Sequence, residues 1–475
     1  MCDKTTEASL ETQRVSPKAT VEPSQYERKR VPGMCIKCKV IKPNVTIRRS
    51  LYCKACFVRT CVVKFRTALS RSRKNTTVPR TKLMVALSGG PSSSAMLNLM
   101  ADFQRMELRG TEAQSRYEDI IAGHVDESVL FPDVQDSLIS EIAISLSIEC
   151  RITKLEDVFA TNDEAPLFIK LVQSTLAPGA LKDKICAHLV KTNDSISSKK
   201  RLQSLFSSLA SATDREEMLD IIKTLLLIRL ARKAECGVLL MGDSGTRIAT
   251  KIVSLASRGR GFSLPFEVGA ESSWFDNVVV YRPMRDFIMK EIAFFNMWTK
   301  QNSVVVPTFT TGAPKRASIG RLTESFVIGL DHDFSSTVST ICRTMQKLEP
   351  RKQALNSLPC LTCGMPVEND AQAWRSRLTV SKPLAVEAEP TIQSNGSNDV
   401  PSDEDGLVRA DITDVVCYSC QNILTSAASG TTFPGATVDH FLKSKGPGDA
   451  KVDIVNAKQE ALRKQIETFL LNDNE

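Results

Sequence analysis

The sequence predicts an α/β protein: a doubly wound parallel sheet with a zinc-ribbon unit on its N-terminal side and another on its C-terminal side. Two observations predict it. Between Thr81 and about Pro350, short apolar runs alternate with longer stretches of helical period, the pattern of strands joined by crossover helices. Around that region stand two pairs of C-x-x-C turns, at Cys35, Cys38, Cys53 and Cys56 before it and at Cys360, Cys363, Cys417 and Cys420 after it.

In chain order, residues 1–30 are polar, lack a core-forming pattern and read as a disordered tail. Residues 31–80 form a basic unit around the first cysteines. The α/β domain is expected over 81–350. Its strand-like runs are Leu83–Leu87, Asp119–Val125, Glu149–Leu155, Cys236–Gly242 and Asn277–Pro283. Between and after them, Ser93–Met106, Ser137–Ser147, Met218–Glu235 and Met284–Trp298 have helical period. Residues 351–428 carry the second cysteine set, interrupted at 384–412 by a segment with seven acidic residues against one arginine, read as a flexible insertion. Residues 429–475 form a tail with a helix over Val455–Leu471.

Composition narrows the class. The 475 residues are 42% hydrophobic and 24% charged, a globular balance. The longest apolar stretch, Ile221–Leu230, is broken by Lys223 and Arg229, so no membrane span is expected. The first twenty residues have no apolar core, so no secretory signal is expected either, and the predicted location is cytoplasmic. In that compartment the 14 cysteines point to metal ligation or catalysis rather than disulfides. Net charge is +8, but Arg28–Lys82 holds 17 Lys or Arg and no acid, and subtracting 17 leaves −9 for the rest of the chain. An acidic body with one basic arm suits a nucleic-acid binder.

Each cysteine quartet has the spacing of a closed tetrahedral site, two knuckles each offering two thiolates, and zinc is the expected ion at both. The first reads C-x2-C-x14-C-x2-C. In the second, 53 residues separate the two turns, and removing the acidic insertion restores an ordinary ribbon. Cys61 is a possible extra ligand or a packed thiol, and Cys2, Cys150, Cys186, Cys236 and Cys342 show no ligand spacing. The basic residues around the first quartet, Lys37, Lys39, Lys42, Arg48, Arg49, Lys54, Arg59, Lys64, Arg66, Arg71, Arg73 and Lys74, are the candidate RNA contacts, with a solvated basic face as the alternative.

After the first strand comes Ser88-Gly89-Gly90-Pro91-Ser92-Ser93, followed by a helix starting near Ser92. A strand, a glycine turn and a helix N-terminus present N–H groups to an anion, although serine and glycine also serve as ordinary capping residues. This segment resembles the SGGxDS PP-loop of adenylating ATPases of the adenine nucleotide alpha hydrolase-like fold. Ser88, Gly89, Gly90 and Ser93 match; Ser92 stands where the pattern has Asp, and Pro91 where RNA-thiolating members carry Lys. Both losses put ATP binding in question.

Longer stretches carry a second resemblance: CIKCK and YCKACF in the basic unit, LMGDSGTRIATKIVS, GRGFSLPF, YRPMRDFIMKEIAFFN and ESFVIGLDHDFSSTVSTICRTMQKL. They look like the cytoplasmic tRNA 2-thiolation protein 2 family, also called cytosolic thiouridylase subunit 2. The resemblance implies a partner of the catalytic thiouridylase subunit 1, in a heterodimer that converts the wobble uridine of the tRNAs for Lys, Glu and Gln to 2-thiouridine. Sulfur would arrive indirectly on a ubiquitin-related modifier. It also implies lost chemistry. The helix Lys223–Arg229 has no cysteine where the catalytic paralogue has C-x-x-C-G, and Gly242–Arg247 keeps one acid, Asp243, where that paralogue has paired aspartates. The expectation is therefore a non-catalytic, tRNA-binding subunit with no catalytic residues; the alternative is an ATP-dependent tRNA-adenylating sulfurtransferase working through an atypical loop. Asp243 with Arg247 reads as a ligand site or a helix cap, Gly259–Phe266 as a flexible loop meeting RNA or a partner or as ordinary surface, and His124 as a satisfied core residue.

Overall fold

The computed structural model describes residues 33–73, 82–107, 117–159, 196–368 and 416–427, apart from 135, 276, 277, 335, 352, 353, 355, 356, 358 and 361 within those spans. The tail 1–30, the acidic insertion 384–412 and the helix expected over Val455–Leu471 lie outside them. The chain divides into two compact units, Met1–Arg59 and Thr60–Glu475.

In the first unit, β1 (Val45–Ile47) and β2 (Ser50–Tyr52) form an antiparallel hairpin with Ile47 opposite Ser50, so that Arg48 and Arg49 alone make the turn. Val45 and Ile47 are buried on one side of β1 while Thr46 is exposed, the alternation of a half-covered strand. Helix α1 (Lys54–Arg73) starts here and continues into the second unit. Phe57, Cys61, Phe65 and Leu69 recur every four residues and are all buried, which makes one apolar stripe along it.

The second unit is built on a six-stranded sheet of order β5-β4-β3-β6-β8-β7. Its strands are β3 (Lys82–Ala86), β4 (Ile120–Asp126), β5 (Glu149–Lys154), β6 (Cys236–Leu240), β7 (Glu271–Ser272) and β8 (Val279–Tyr281). All pairings are parallel except the edge pair β7–β8. All five expected strands are present; the short edge strand β7 is the addition. Leu83, Met84 and Val85 are consecutive and fully buried, because the sheet is covered on both faces and its strands need no polar side.

Helices α2 (Pro91–Glu107) and α3 (Asp136–Ile144) carry the chain from β3 to β4 to β5. Helices α4 (Ser198–Ser208), α5 (Ala212–Lys233) and α6 (Gly245–Ser257) carry it back past β3 to β6 and β8. Right-handed crossovers of opposite sense put α2 and α5 on opposite faces of the sheet. Met84, Ile121, Leu239 and Val280 accordingly share one core with Ile222, Leu225, Leu226 and Ile228 of α5. Beyond α6 come the short α7 (Leu264–Val268), then α8 (Met289–Thr299), α9 (Ile319–Asp333) and α10 (Thr337–Met345), and within the second cysteine set α11 (Tyr418–Ser426).

One helix expected from sequence is broken. Met284–Trp298 is not continuous: a 3-10 turn, Pro283–Asp286, is followed by extended backbone at Phe287 and Ile288 before α8 begins. The break lets Phe287 reach the interior at 1% exposure, and the Glu291 carboxylate accepts the Ile288 N–H at 2.9 Å to start α8 afresh. Glu291 also binds Lys64 Nζ at 2.8 Å, and that ammonium lies 4.5 Å from the Phe287 ring centre. Because Glu291 is both cap and ion partner, Glu291→Ala is expected to cost about 1 kcal/mol more than Lys64→Met, the value of a helix cap, in thermal unfolding of the two variants.

Candidate functional site: two cysteine centres and a glycine-turn crevice

Each cysteine quartet closes on a single point. In both groups the four Sγ atoms lie within 4.8 Å of one another. In the first, the Cys35 carbonyl accepts the Lys39 N–H at 2.8 Å and the Ile41 carbonyl accepts the Cys35 N–H at 2.9 Å, folding the knuckle. Cys53 and Cys56 come from the end of β2 and the first turn of α1. Cys38 and Cys53 sulfurs are 3.9 Å apart. In the second, Cys360 and Cys363 lie on a knuckle closed by Gly364 N–H to the Cys360 carbonyl at 2.8 Å, and Cys417 caps α11 with Cys420 one turn on. Cys363 and Cys417 sulfurs are 3.8 Å apart. Metal–sulfur bonds of about 2.3 Å in a tetrahedron require sulfur–sulfur edges of roughly 3.8 Å, so both quartets have the size of a cradle for one ion. A polynuclear cluster would hold the thiolates farther apart.

Thiol acidity fits the same reading. Burial pushes the Cys35 thiol up, but N–H groups of Cys38, Cys53 and Lys37 directed at its sulfur outweigh it and bring it to about 6. Burial and the three neighbouring thiols push Cys56 to about 12. One thiolate forms readily and repels the next; four together need a bound cation. Cys61 stands apart from the quartet as a packed thiol, raised to about 12 by burial and by Glu291.

The second centre is part of the main core. Cys360, Cys363 and Cys420 belong to the same apolar cluster as α5. It is tied there by a buried polar network on Glu217, 5% exposed, whose carboxylate accepts Arg258 at 2.9 Å, Arg260 at 2.9 Å and the Ser419 hydroxyl of α11 at 2.6 Å. Arg260 also reaches Glu267 at 2.9 Å, and the Trp274 indole donates to the Gly364 carbonyl at 2.7 Å. Gly259 has φ +78°, and a Cβ there would stand 2.6 Å from the Tyr418 ring. Gly259–Phe266, expected as a flexible surface loop, is thus packed, with Arg260 only 4% exposed.

The third feature is the crevice at the carboxyl ends of β3 and β6. Strand order reverses at β3, and in such sheets that is where ligands bind. Gly89 turns the chain at φ +75°; a Cβ would meet Ile139 at 2.7 Å. Helix α2 starts at Pro91, one residue ahead of the expected Ser92, with proline at its favoured first position. Ser88 and Ser93 hydroxyls are 3.2 Å apart. Ser92 donates to the Gly242 carbonyl at 2.5 Å, and a Cβ on Gly242 would come within 3.2 Å of Ser93 Cα. The two loops are therefore packed backbone to backbone. Gly90, by contrast, meets nothing closer than 3.6 Å. Over the turn, the Gly89 carbonyl accepts the Val304 N–H at 2.8 Å.

Asp243 is buried and surrounded by Arg247 at 3.4 Å, Lys251 at 3.6 Å and Arg282 at 3.6 Å. Burial pushes its carboxyl up, but Lys251, Arg247 and Arg282 outweigh it and hold it below the usual carboxylate range. The cap of α6 is Ser244, whose hydroxyl accepts the Arg247 N–H. His124, at the end of β4, is a satisfied interior residue: Nδ1 donates to the Leu87 carbonyl at 2.9 Å and Nε2 faces Asp136 at 2.9 Å.

The basic candidates separate into groups. Lys37, Lys39, Lys42, Arg48, Arg49, Lys54 and Arg59 are exposed in the first unit. In the second unit Lys64 is committed to Glu291, and Arg66 lies 5.9 Å from the Phe103 ring centre. Arg71 and Arg73 extend α1, their side chains outside the described residues along with all of Lys74. Glu217, Arg258, Arg260, Lys251, Arg282 and Glu291 were not singled out from sequence. Nothing in their immediate sequence signalled them, because their partners are distant in the chain, Glu217 and Ser419 being 202 positions apart.

With this geometry in place, the comparisons are specific. Residues 318–422 match the family model described as cytoplasmic tRNA 2-thiolation protein 2. The Danio rerio protein of that name is 30% identical, the match covering 88% of this chain and 93% of that protein. The chain belongs to the cytoplasmic tRNA 2-thiolation protein 2 family. The Homo sapiens protein of the same name is 31% identical over 74% of this chain and 75% of its own length. Among solved structures the chain is similar to the U34-tRNA thiolase NcsA from Methanococcus maripaludis with its 4Fe-4S cluster, at 16% identity and a TM-score of 0.46, covering 67% of this chain and 90% of that one. No helix among the described residues is long and apolar enough to cross a membrane.

Removing Glu217 from this member of the family leaves the half-buried Arg258 without its carboxylate, the buried Arg260 with Glu267 alone, and the buried Ser419 hydroxyl without its acceptor. Glu217→Leu is expected to destabilise the protein by about 3–5 kcal/mol, measured by urea unfolding. Gly89→Ala adds left-handed strand-to-helix strain to a clash with Ile139, and is expected to cost about 1–2 kcal/mol or more in the same measurement.

Proposed function

We propose that this chain is the non-catalytic, tRNA-binding subunit of the cytosolic complex that 2-thiolates the wobble uridine of the tRNAs for lysine, glutamate and glutamine. It acts as a heterodimer with the catalytic thiouridylase subunit 1, and sulfur reaches that complex through a ubiquitin-related modifier with which this chain has indirect contact. Family membership supports the pathway and the cytoplasmic location.

One observation carries the division of labour: the acid at the crevice, Asp243, is held among three cations, and the Ser92 hydroxyl at the position of the PP-loop acid is spent on the Gly242 carbonyl. Magnesium bound with a nucleotide takes carboxylate oxygen ligands, and here the carboxylate is already neutralised. Pro91 adds no positive charge for transferring phosphates. The crevice keeps the shape of an adenylating site and binds its own loops together. Both cysteine quartets hold structural zinc, for which four thiolates on a tetrahedron are the preferred set. Seven exposed cations among the described residues of the first unit grip the tRNA backbone.

Two measurements test this. Purified alone, the chain is expected to bind tRNA and form no AMP from ATP; mixed with the catalytic subunit it restores 2-thiouridine formation. Robust tRNA-dependent AMP release by the isolated chain, abolished by substitution of Ser88 or Gly90, would establish instead an adenylating sulfurtransferase with an atypical loop. Elemental analysis is expected to find about two zinc per chain; one equivalent, or iron, overturns the assignment of a centre.

A further inference from the structure

Up to the residue after the second cysteine, the two knuckles of this chain make the same turn, with different residues at its left-handed position. In the second, Gly364 follows the C-x-x-C, has φ +73°, and donates its N–H to the Cys360 carbonyl at 2.8 Å. In the first, Lys39 takes that place, with φ +59° and an N–H to the Cys35 carbonyl at 2.8 Å. Left-handed backbone crowds the Cβ of an L residue, so glycine is the favoured occupant and lysine is disfavoured. The hairpin of the same unit repeats the substitution. A two-residue turn with both φ values positive favours Asn-Gly, yet Arg48 (φ +49°) and Arg49 (φ +77°) fill it. Of the six left-handed non-glycine residues described, these three lie in the first unit, and all three are cations.

A merely solvated basic face has no reason to place charge at strained positions. Lys37, Lys42, Lys54 and Arg59 supply exposed cations of the same unit on ordinary backbone. Lys39, Arg48 and Arg49 are all exposed on the turns that carry them. The tip next to Lys39 is also open, with Val40 77% and Ile41 53% exposed. Strain held at exposed cationic turns marks positions selected for contact rather than for folding.

We propose that Lys39, Arg48 and Arg49 are the principal phosphate contacts of the first unit, placed where glycine or asparagine would fold better because an RNA backbone docks on those two turns. The proposal rests on the tRNA-binding reading above and specifies where within the unit that binding occurs.

The test uses the full chain and compares Lys39→Gly and the double variant Arg48→Asn, Arg49→Gly with a control pair, Lys37→Gln and Lys42→Gln. Each is measured for tRNA affinity across a salt series, for thermal unfolding and for zinc retained against a chelator. Each cation lost from the three turn positions is expected to weaken binding about five- to eightfold at 0.1 M salt and to flatten the salt slope by about 0.7–0.9. Unfolding midpoint and zinc retention are expected to hold or rise, because the strain is relieved. The control pair is expected to weaken binding by no more than about twofold per cation, as rim charges do. If the control variants lose as much as the turn variants, the assignment to the turns is overturned while the tRNA-binding reading stands. If no variant changes affinity, both fall. If the turn variants shed zinc or unfold earlier, these residues are structural and the proposal is wrong.

Discussion

The body of this protein depends on one buried carboxylate. Glu217 projects from α5 into a space where water does not reach, and two arginines from the far end of α6 and a hydroxyl from α11 converge on it. A charge in such surroundings is tolerated only when its partners satisfy it, so the four groups must be present together or the arrangement fails. That requirement joins parts of the chain that local folding would leave separate. The second cysteine centre is docked on the sheet domain by it, Gly259 is forced to be glycine because Tyr418 packs on it, and the α6–α7 connection becomes an internal strut.

The crevice at β3 and β6 follows the opposite logic. Its geometry is that of a binding site: a strand reversal, a left-handed glycine and a helix N-terminus. Its polar groups, however, bond to one another, Ser92 to Gly242 and Asp243 to Arg247, Lys251 and Arg282. These contacts tie the loops to one another. The first unit shows the reverse balance, since its two turns bear cations where backbone energetics favour glycine and asparagine.

Much of this was legible in the sequence. Apolar runs at Leu83–Leu87 and Cys236–Gly242 announced buried parallel strands, because a sheet covered on both faces needs no alternation. The paired C-x-x-C spacings announced both cysteine clusters, because two thiols three residues apart are turned to the same point. Other features were hidden. Met284–Trp298 has the period of one helix, and only the burial of Phe287 and the capping of Ile288 by Glu291 break it. Gly259–Phe266 looked like surface because its glycines suggested mobility, whereas one of them makes room for an aromatic ring. Lys64 looked like one more RNA-facing cation and is an internal ion partner of a residue 227 positions away.

What the sequence determined alone was therefore local: element type, from periodicity, and the convergence of two cysteines within each C-x-x-C turn, from their spacing. Both depend on residues close in the chain, whose relative positions the backbone itself sets. Tertiary structure decided which charges are spent on internal partners. Asp243, Glu217, Arg260 and Lys64 cannot be told from surface charges by their neighbours in sequence, because their partners come from distant elements and their burial is a property of the packed whole. The same is true of Lys39, Arg48 and Arg49, whose left-handed backbone appears only once the knuckle and the hairpin have closed.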